Sequence, residues 1–380
     1  MKGPTKDAHK GRPAEGVRMV NPAVECGSTV LFPDYASFRA QNRPWHYGRM
    51  GTPTHKALEE SLGELEGAEH VSLTGSGLAA CTLAILSVVK EGGHLLVTDS
   101  AYEPTRAFCD IYLKSLGIET TYFDPHADEA AIRELVRPNT QGIFCESPGS
   151  LTFEVQDIPA IVRGAGDIPV IVDNTYGAGV HYKPLELGAA ISLQALTKYV
   201  GGHSDLLMGA VITRKDLATA VQRTARVLGI SVSGKDASLA HRGLRTLHRR
   251  LDVHEASGLA VARWLEDRPE IASVLHPGLE SHPGHALWAR DGTGTNGLFS
   301  VIADWEDEAT TGRFIDALHY FGLGYSWGGY ESLCLPAWPA KVRSAVPWTE
   351  TRQLLRFHIG LEDVSDLTTD LKNAFDMLKR

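Results

Sequence analysis

From His70 onward the apolar positions fall into short, nearly unbroken runs separated by stretches with helical spacing. Val71–Leu73, Leu95–Thr98, Glu119–Phe123, Gly142–Cys145, Val170–Val172, Ile191–Ala195 and Ala210–Thr213 read as strands. Apolar runs this short fit strands buried on both faces. Their alternation with helices predicts an α/β fold with a mainly parallel sheet, helices covering both sides. One helix is marked more directly. Thr52-Pro53 opens it, Leu58, Leu62 and Leu65 recur on one face, and Gly67 stops it.

After Asp236 the pattern changes. A long amphipathic helix over roughly Ala237–Glu266, with a break near Gly258, leads to strand-like runs at Ile271–Leu275 and Leu298–Ala303. Helices follow at Glu306–His319 and Asp363–Lys379. Residues 1–50 have no sustained period and are rich in Pro, Gly and polar side chains, so they read as an extended arm. The arm ends in WHYGRMGTPTH, Trp45–His55, which is too aromatic for a free tail and points to docking on something. The predicted organisation is an N-terminal arm (1–52), an α/β domain (53–245) and a smaller C-terminal α+β domain (246–380).

Composition narrows the possibilities only a little. Hydrophobic residues make up 43% and charged residues 22%, ordinary values for a globular protein. The net charge of −9 argues against a nucleic-acid surface. Five scattered cysteines with no CxxC spacing suggest neither a disulfide framework nor a zinc ribbon, and fit a reducing, cytoplasmic setting. MKGPTKDAHKGRPAEG lacks the apolar stretch of a signal peptide, and the longest nearly apolar run, Leu78–Val89, is too short to span a bilayer. No metal site is expected: the histidines of HPGLESHPGH lack acidic or cysteine support, and His241, His248 and His254 are not spaced as HExxH.

Candidate chemistry gathers where strands end. The apolar run Pro169–Val172 stops at Asp173, and Ala190–Leu196 stops at Thr197-Lys198. In an open α/β sheet, ligands sit beyond the carboxyl ends of the strands, so the two residues would share a crevice. A lysine and a carboxylate held together suit pyridoxal phosphate: the amine forms a Schiff base with the aldehyde and the acid keeps the pyridine nitrogen protonated. The same pair could equally be a buried ion pair and a surface lysine, so the neighbouring words matter. Val71–Leu73 runs into Thr74-Gly75-Ser76-Gly77-Leu78-Ala79-Ala80, a strand, a glycine turn and a helix start, which makes a phosphate seat. It also spells GxGxxA with Asp99 downstream, the fingerprint of a dinucleotide-dependent oxidoreductase, and a plain tight turn is a third reading. Tyr102 follows the next strand, where an aromatic face can stack on a pyridine ring or simply pack.

Taken together, Tyr47-Gly48-Arg49, Ser76-Gly77, Asp173-Asn174-Thr175, Thr197-Lys198-Tyr199 with Gly202-His203-Ser204-Asp205, and Tyr325–Leu333 resemble the Cys/Met-metabolism family of pyridoxal-phosphate enzymes. The likeness runs from about Thr29 to the C-terminus and includes Glu146–Val155 and Arg356–Leu367. It implies the aspartate aminotransferase-like fold of pyridoxal-phosphate-dependent transferases and pyridoxal 5'-phosphate as cofactor. By resemblance, Lys198 carries the cofactor, Asp173 pairs with its ring nitrogen, and Tyr102 stacks on it. The Gly77 and Leu78 amides and the Thr197 hydroxyl hold the phosphate, with Tyr47 and Arg49 reaching it from a neighbouring subunit. Arg356 grips the substrate carboxylate, and Ser326 and Trp327 line the pocket beside it.

The tryptophan resembles that of the β-lyases of the family. It implies β-elimination of L-cystathionine to homocysteine, pyruvate and ammonia, with Lys198 or Tyr47 as proton donor to the leaving sulfur. A lyase acting on cystine or another cysteine S-conjugate, or a γ-lyase or γ-synthase, is the alternative. A shared phosphate site requires at least a dimer, and a homotetramer is expected. Ala195 stands where many members carry a serine that reaches the phosphate, and Met50 where a polar or basic residue is common.

Overall fold

The computed structural model describes residues 2–11 and 19–379. A seven-stranded sheet is built from β1 (His70–Thr74), β2 (His94–Thr98), β3 (Glu119–Phe123), β4 (Thr140–Glu146), β5 (Val170–Asp173), β6 (Ile191–Gln194) and β7 (Gly209–Thr213), in the order β1-β7-β6-β5-β4-β2-β3. Only β7 runs against the rest, antiparallel to both β1 and β6. Side chains of one strand feed two cores. Val211 packs with Leu83, Ile85 and Leu193, whereas Ala210 and Ile212 pack on the opposite face with Leu58, Leu62, Leu244 and Leu251. That two-sided burial is why the strands read as continuous apolar runs.

The smaller sheet is antiparallel, in the order β10-β11-β9-β8, from β8 (Ile271–Leu275), β9 (Leu298–Ala303), β10 (Leu333–Ala337) and β11 (Leu354–His358). Its core joins Phe299, Val301, Leu355 and Phe357 to Leu367, Leu371 and Phe375 of the C-terminal helix Val364–Leu378. The chain therefore has the expected mainly parallel sheet with a smaller α+β part.

Three local expectations are corrected. The long helix divides at Arg245-Thr246, into Gly234–Leu244 and Leu247–Glu266, and not at Gly258. A Cβ on Gly258 would lie 2.7 Å from the Asn296 carbonyl oxygen, so this glycine permits close approach rather than a break. At the true break, the buried Arg250 guanidinium donates to the carbonyls of Gly243 (2.8 Å), Tyr199 (2.6 Å) and Val200 (3.3 Å). The arm is not wholly extended either. Gly3–His9 is a helix packed against Leu247–Glu266, with buried Asp7 bonded to His248, and Tyr35–Ala40 is a second short helix. Residues 12–18 of the predicted arm lie outside the described residues. β10 and β11 were not expected from the pattern, and helix His285–Asp291 follows directly on the HPGLESHPG loop.

Candidate active site

A cavity of about 270 Å³ lies beyond the carboxyl ends of β4, β5 and β6 and is closed on the far side by residues of the smaller sheet. Asp173 ends β5, and Lys198 follows four residues after β6. Gly77, Leu78, Tyr102, Thr197, Ser326, Trp327 and Arg356 line the same cavity. Tyr47 and Arg49 do not. Tyr47 bridges to Thr29 on an exposed segment, and the Arg49 guanidinium donates to the Arg226 carbonyl (3.2 Å).

Asp173 is buried, and its Oδ1 accepts from the Thr175 amide (2.9 Å) and hydroxyl (2.5 Å). The Cys81 thiol donates to Oδ2 at 3.6 Å. Burial pushes the Asp173 pKa up, while the Thr175 bonds and the Lys198 charge pull against it. Glu146, opposite Asp173 in the β4–β5 register, is pushed well above the usual carboxylate range by burial and by Asp173 itself. Its Oε2 accepts from the Tyr102 amide (2.7 Å), which fixes the half-exposed Tyr102 at the cavity wall.

Lys198 Nζ donates to the Ser326 hydroxyl (2.7 Å) and lies 5.3 Å from the Trp327 ring centre. Burial, then the Arg356 charge, lowers its pKa to about 8, with Asp173 opposing. Arg356 Nη2 donates to the Ser326 carbonyl (2.9 Å), and burial lowers this guanidinium to about 10. One serine thus touches both cations of the cavity.

At the helix Gly77–Val88, Ser76 accepts from the Ala79 amide at its side chain (3.1 Å) and from the Ala80 amide at its carbonyl (3.2 Å). The Gly77 and Leu78 amides are the ones such a helix start leaves without an internal acceptor. The Thr197 hydroxyl donates to the Met208 carbonyl (3.1 Å) and accepts from its amide (3.0 Å). The competing dinucleotide reading fails at Asp99. Its carboxylate is taken up by the Ser344, Ala345 and Val346 amides (2.9–3.1 Å) and by Arg106 (2.8 Å), leaving nothing for a ribose.

The sequence matches the Cys/Met metabolism PLP-dependent enzyme family over residues 4–376. The chain belongs to that family. Among family relatives, the cystathionine β-lyase of Bordetella avium is 44% identical over 96% of this chain and 94% of its own length. That of Salmonella typhimurium is 41% identical over 94% and 93%. A solved structure of cystathionine γ-synthase from Xanthomonas oryzae pv. oryzae, in complex with aminoacrylate and cysteine, superposes with a TM-score of 0.91 at 30% identity, covering 100% of this chain and 99% of that one.

Pyridoxal phosphate is the cofactor of the Cys/Met metabolism family, and the residues present fit it. A Cβ on Gly77 would stand 2.5 Å from the Ala195 Cβ, so the seat at the helix start admits only glycine. Two helix-start amides there are left free for an anion, an acid is buried at the floor, and an amine with a lowered pKa stands on the wall. Glu146 and Thr175 are the site residues to which sequence reasoning gave no role. The signal was there for Glu146, since the apolar run Gly142–Cys145 ends on it as Pro169–Val172 ends on Asp173.

Proposed function

We propose that this enzyme is a carbon–sulfur β-lyase that eliminates homocysteine from L-cystathionine, the three-carbon fragment left behind being hydrolysed by one water to pyruvate and ammonia. What supports this most is the joining of Lys198 and Arg356 through Ser326, above the buried Asp173. When bound, pyridoxal phosphate supplies an aldehyde for the amine and an electron sink for the pair left on Cα. The Gly77 and Leu78 amides, at the positive end of the helix, would hold its phosphate. The Asp173 carboxylate would keep the proton on the pyridine nitrogen, and Tyr102 would offer its ring as a stacking face.

Arg356 binds the substrate carboxylate as a two-pronged donor and so aims Cα at Lys198. Lys198, lowered to about 8, is neutral often enough near neutral pH to take the Cα proton. Trp327 packs beside that amine and shapes the sulfur side of the pocket. Loss of the thiolate from Cβ needs a proton, which Lys198 returns or Tyr47 supplies. Thr197, which lines the cavity, serves the phosphate once its hydroxyl turns from Met208. Tyr47 and Arg49 lie away from their own cavity, which supports their reaching a neighbouring copy's phosphate in a homodimer or a larger homotetramer. No helix of the described residues is long and apolar enough to cross a membrane, and all five cysteines are free, which supports a cytoplasmic enzyme.

A γ-synthase or γ-lyase is the second reading, favoured by the superposition on the γ-synthase structure. The product separates them. Cystathionine incubated with the enzyme should yield pyruvate and homocysteine; 2-oxobutyrate and cysteine would overturn the β-lyase assignment. Stronger pyruvate release from cystine or an S-alkyl cysteine would move the substrate to a cysteine S-conjugate.

A further inference from the structure

Ser326 holds φ +88°, a conformation that is strained for a non-glycine residue and persists only where neighbours impose it. Yet this residue meets both the Lys198 amine and the Arg356 guanidinium. The constraint lies two residues on. Gly328, at φ +83°, rests on the backbone of Lys198 and Tyr199: a Cβ there would stand 2.8 Å from the Tyr199 nitrogen. Its amide donates to His358 Nε2 at 3.0 Å.

His358 is buried and ends β11, two residues after Arg356 and so on the same face of the strand. Its ring packs against His254 (5.2 Å between centres) and Tyr199 (5.9 Å). The Gly329 carbonyl also approaches Nε2, at 3.2 Å, and would suit a proton on that nitrogen. The Gly328 amide decides between them. It can only donate, so Nε2 presents a lone pair to it and the ring proton sits on Nδ1, a buried nitrogen with no hydrogen-bond partner among the described residues. A positively charged ring would lose that acceptor. Burial, together with His254, Arg356 and Lys198 around it, keeps His358 uncharged.

We propose that His358 is a positioning residue: its Nε2 lone pair anchors the Gly328 amide and thereby sets Ser326 between the amine of Lys198 and the guanidinium of Arg356. This rests on the roles given above to those two cations. Acting through the turn, the imidazole should govern how well substrate is aligned rather than whether the cofactor is held.

The test uses two variants and one spectrum. His358→Leu removes the acceptor and keeps bulk, whereas His358→Gln retains an acceptor at similar reach. The leucine variant should keep the visible cofactor band and raise KM about tenfold, with a smaller change in kcat, as expected when a buried amide is left without its acceptor. The glutamine variant should recover most of the loss. In holoenzyme carrying nitrogen-15 histidine, NMR at neutral pH should find the His358 proton on Nδ1. A leucine variant with unchanged KM, a glutamine variant as impaired as leucine, or a proton on Nε2 would overturn the proposal. If the leucine variant does not fold, the glutamine variant and the spectrum still decide. Should Lys198→Ala retain activity, the roles of the cations fail instead, while the tautomer remains as the spectrum reports it.

Discussion

The cavity floor is set by β4, β5 and β6, parallel strands buried on both faces, whereas its roof comes from the 325–328 turn and from β11 of a small antiparallel sheet. On the floor, each functional side chain follows directly from a strand end: Glu146, Asp173, and Lys198 one short turn later. Backbone and core fix them, with Thr175 and Arg250 tying down the segments next to Asp173 and Lys198. On the roof, position depends on a strained serine, a glycine pressed against the lysine segment, and a buried arginine. The floor is held by packing and the roof by a few polar bonds. Disturbing the floor should therefore remove chemistry, and disturbing the roof should loosen recognition.

The largest effect should come from the floor. Lys198→Ala should lower pyruvate release by 10³-fold or more and abolish the cofactor's bound absorbance band; activity near wild type would break the scheme. On the roof, Arg356→Lys should keep the charge but lose the paired donors, raising KM for cystathionine roughly 10- to 100-fold with the band intact. A drop in kcat alone would mean that floor and roof are not separable. The link between them can be read by titration. A lysine lowered to about 8 is protonated and inert below that pH and neutral above it. Acylation of Lys198 in cofactor-free protein, followed by peptide mass spectrometry, should thus accelerate through about pH 8. Arg356→Leu should shift the midpoint upward, because the second cause of the lowering is gone. The smallest effect should be Ser326→Ala, a few-fold rise in KM from one lost hydroxyl bond, with the backbone contact to Arg356 retained.

Legibility follows the same division. Val170–Asp173 could be read because a parallel strand buried on both faces leaves an uninterrupted β-branched run, and Asp173, which ends it, stands at the crevice; Ile191–Gln194, interrupted by Ser192, was read from the mostly apolar stretch Ala190–Leu196 that leads to Lys198. Leu354–His358 carries Arg356 in mid-strand, and Leu333–Ala337 contains Pro336, so neither resembles a strand until its distant partner is known. Arg356 was reached only through family resemblance, and His358, in the same word, was passed over. Its importance lies in a contact 30 residues away with Gly328. The arm was misread because helix Gly3–His9 is held by Asp7 against His248, a pairing across more than half the chain.

The lone reversed strand β7 has a consequence for how the chain is made. Among the described residues β1 pairs with β7 alone, so there it has no sheet neighbour until residues some 140 positions later have left the ribosome. At about 5–20 residues per second, that is a wait of roughly 7–28 s with the strand that carries Val71 and Leu73 unpaired in the nascent chain. Early recruitment of a chaperone to residues 70–74, and sensitivity of yield to translation speed over the following stretch, would be its signature in the cell.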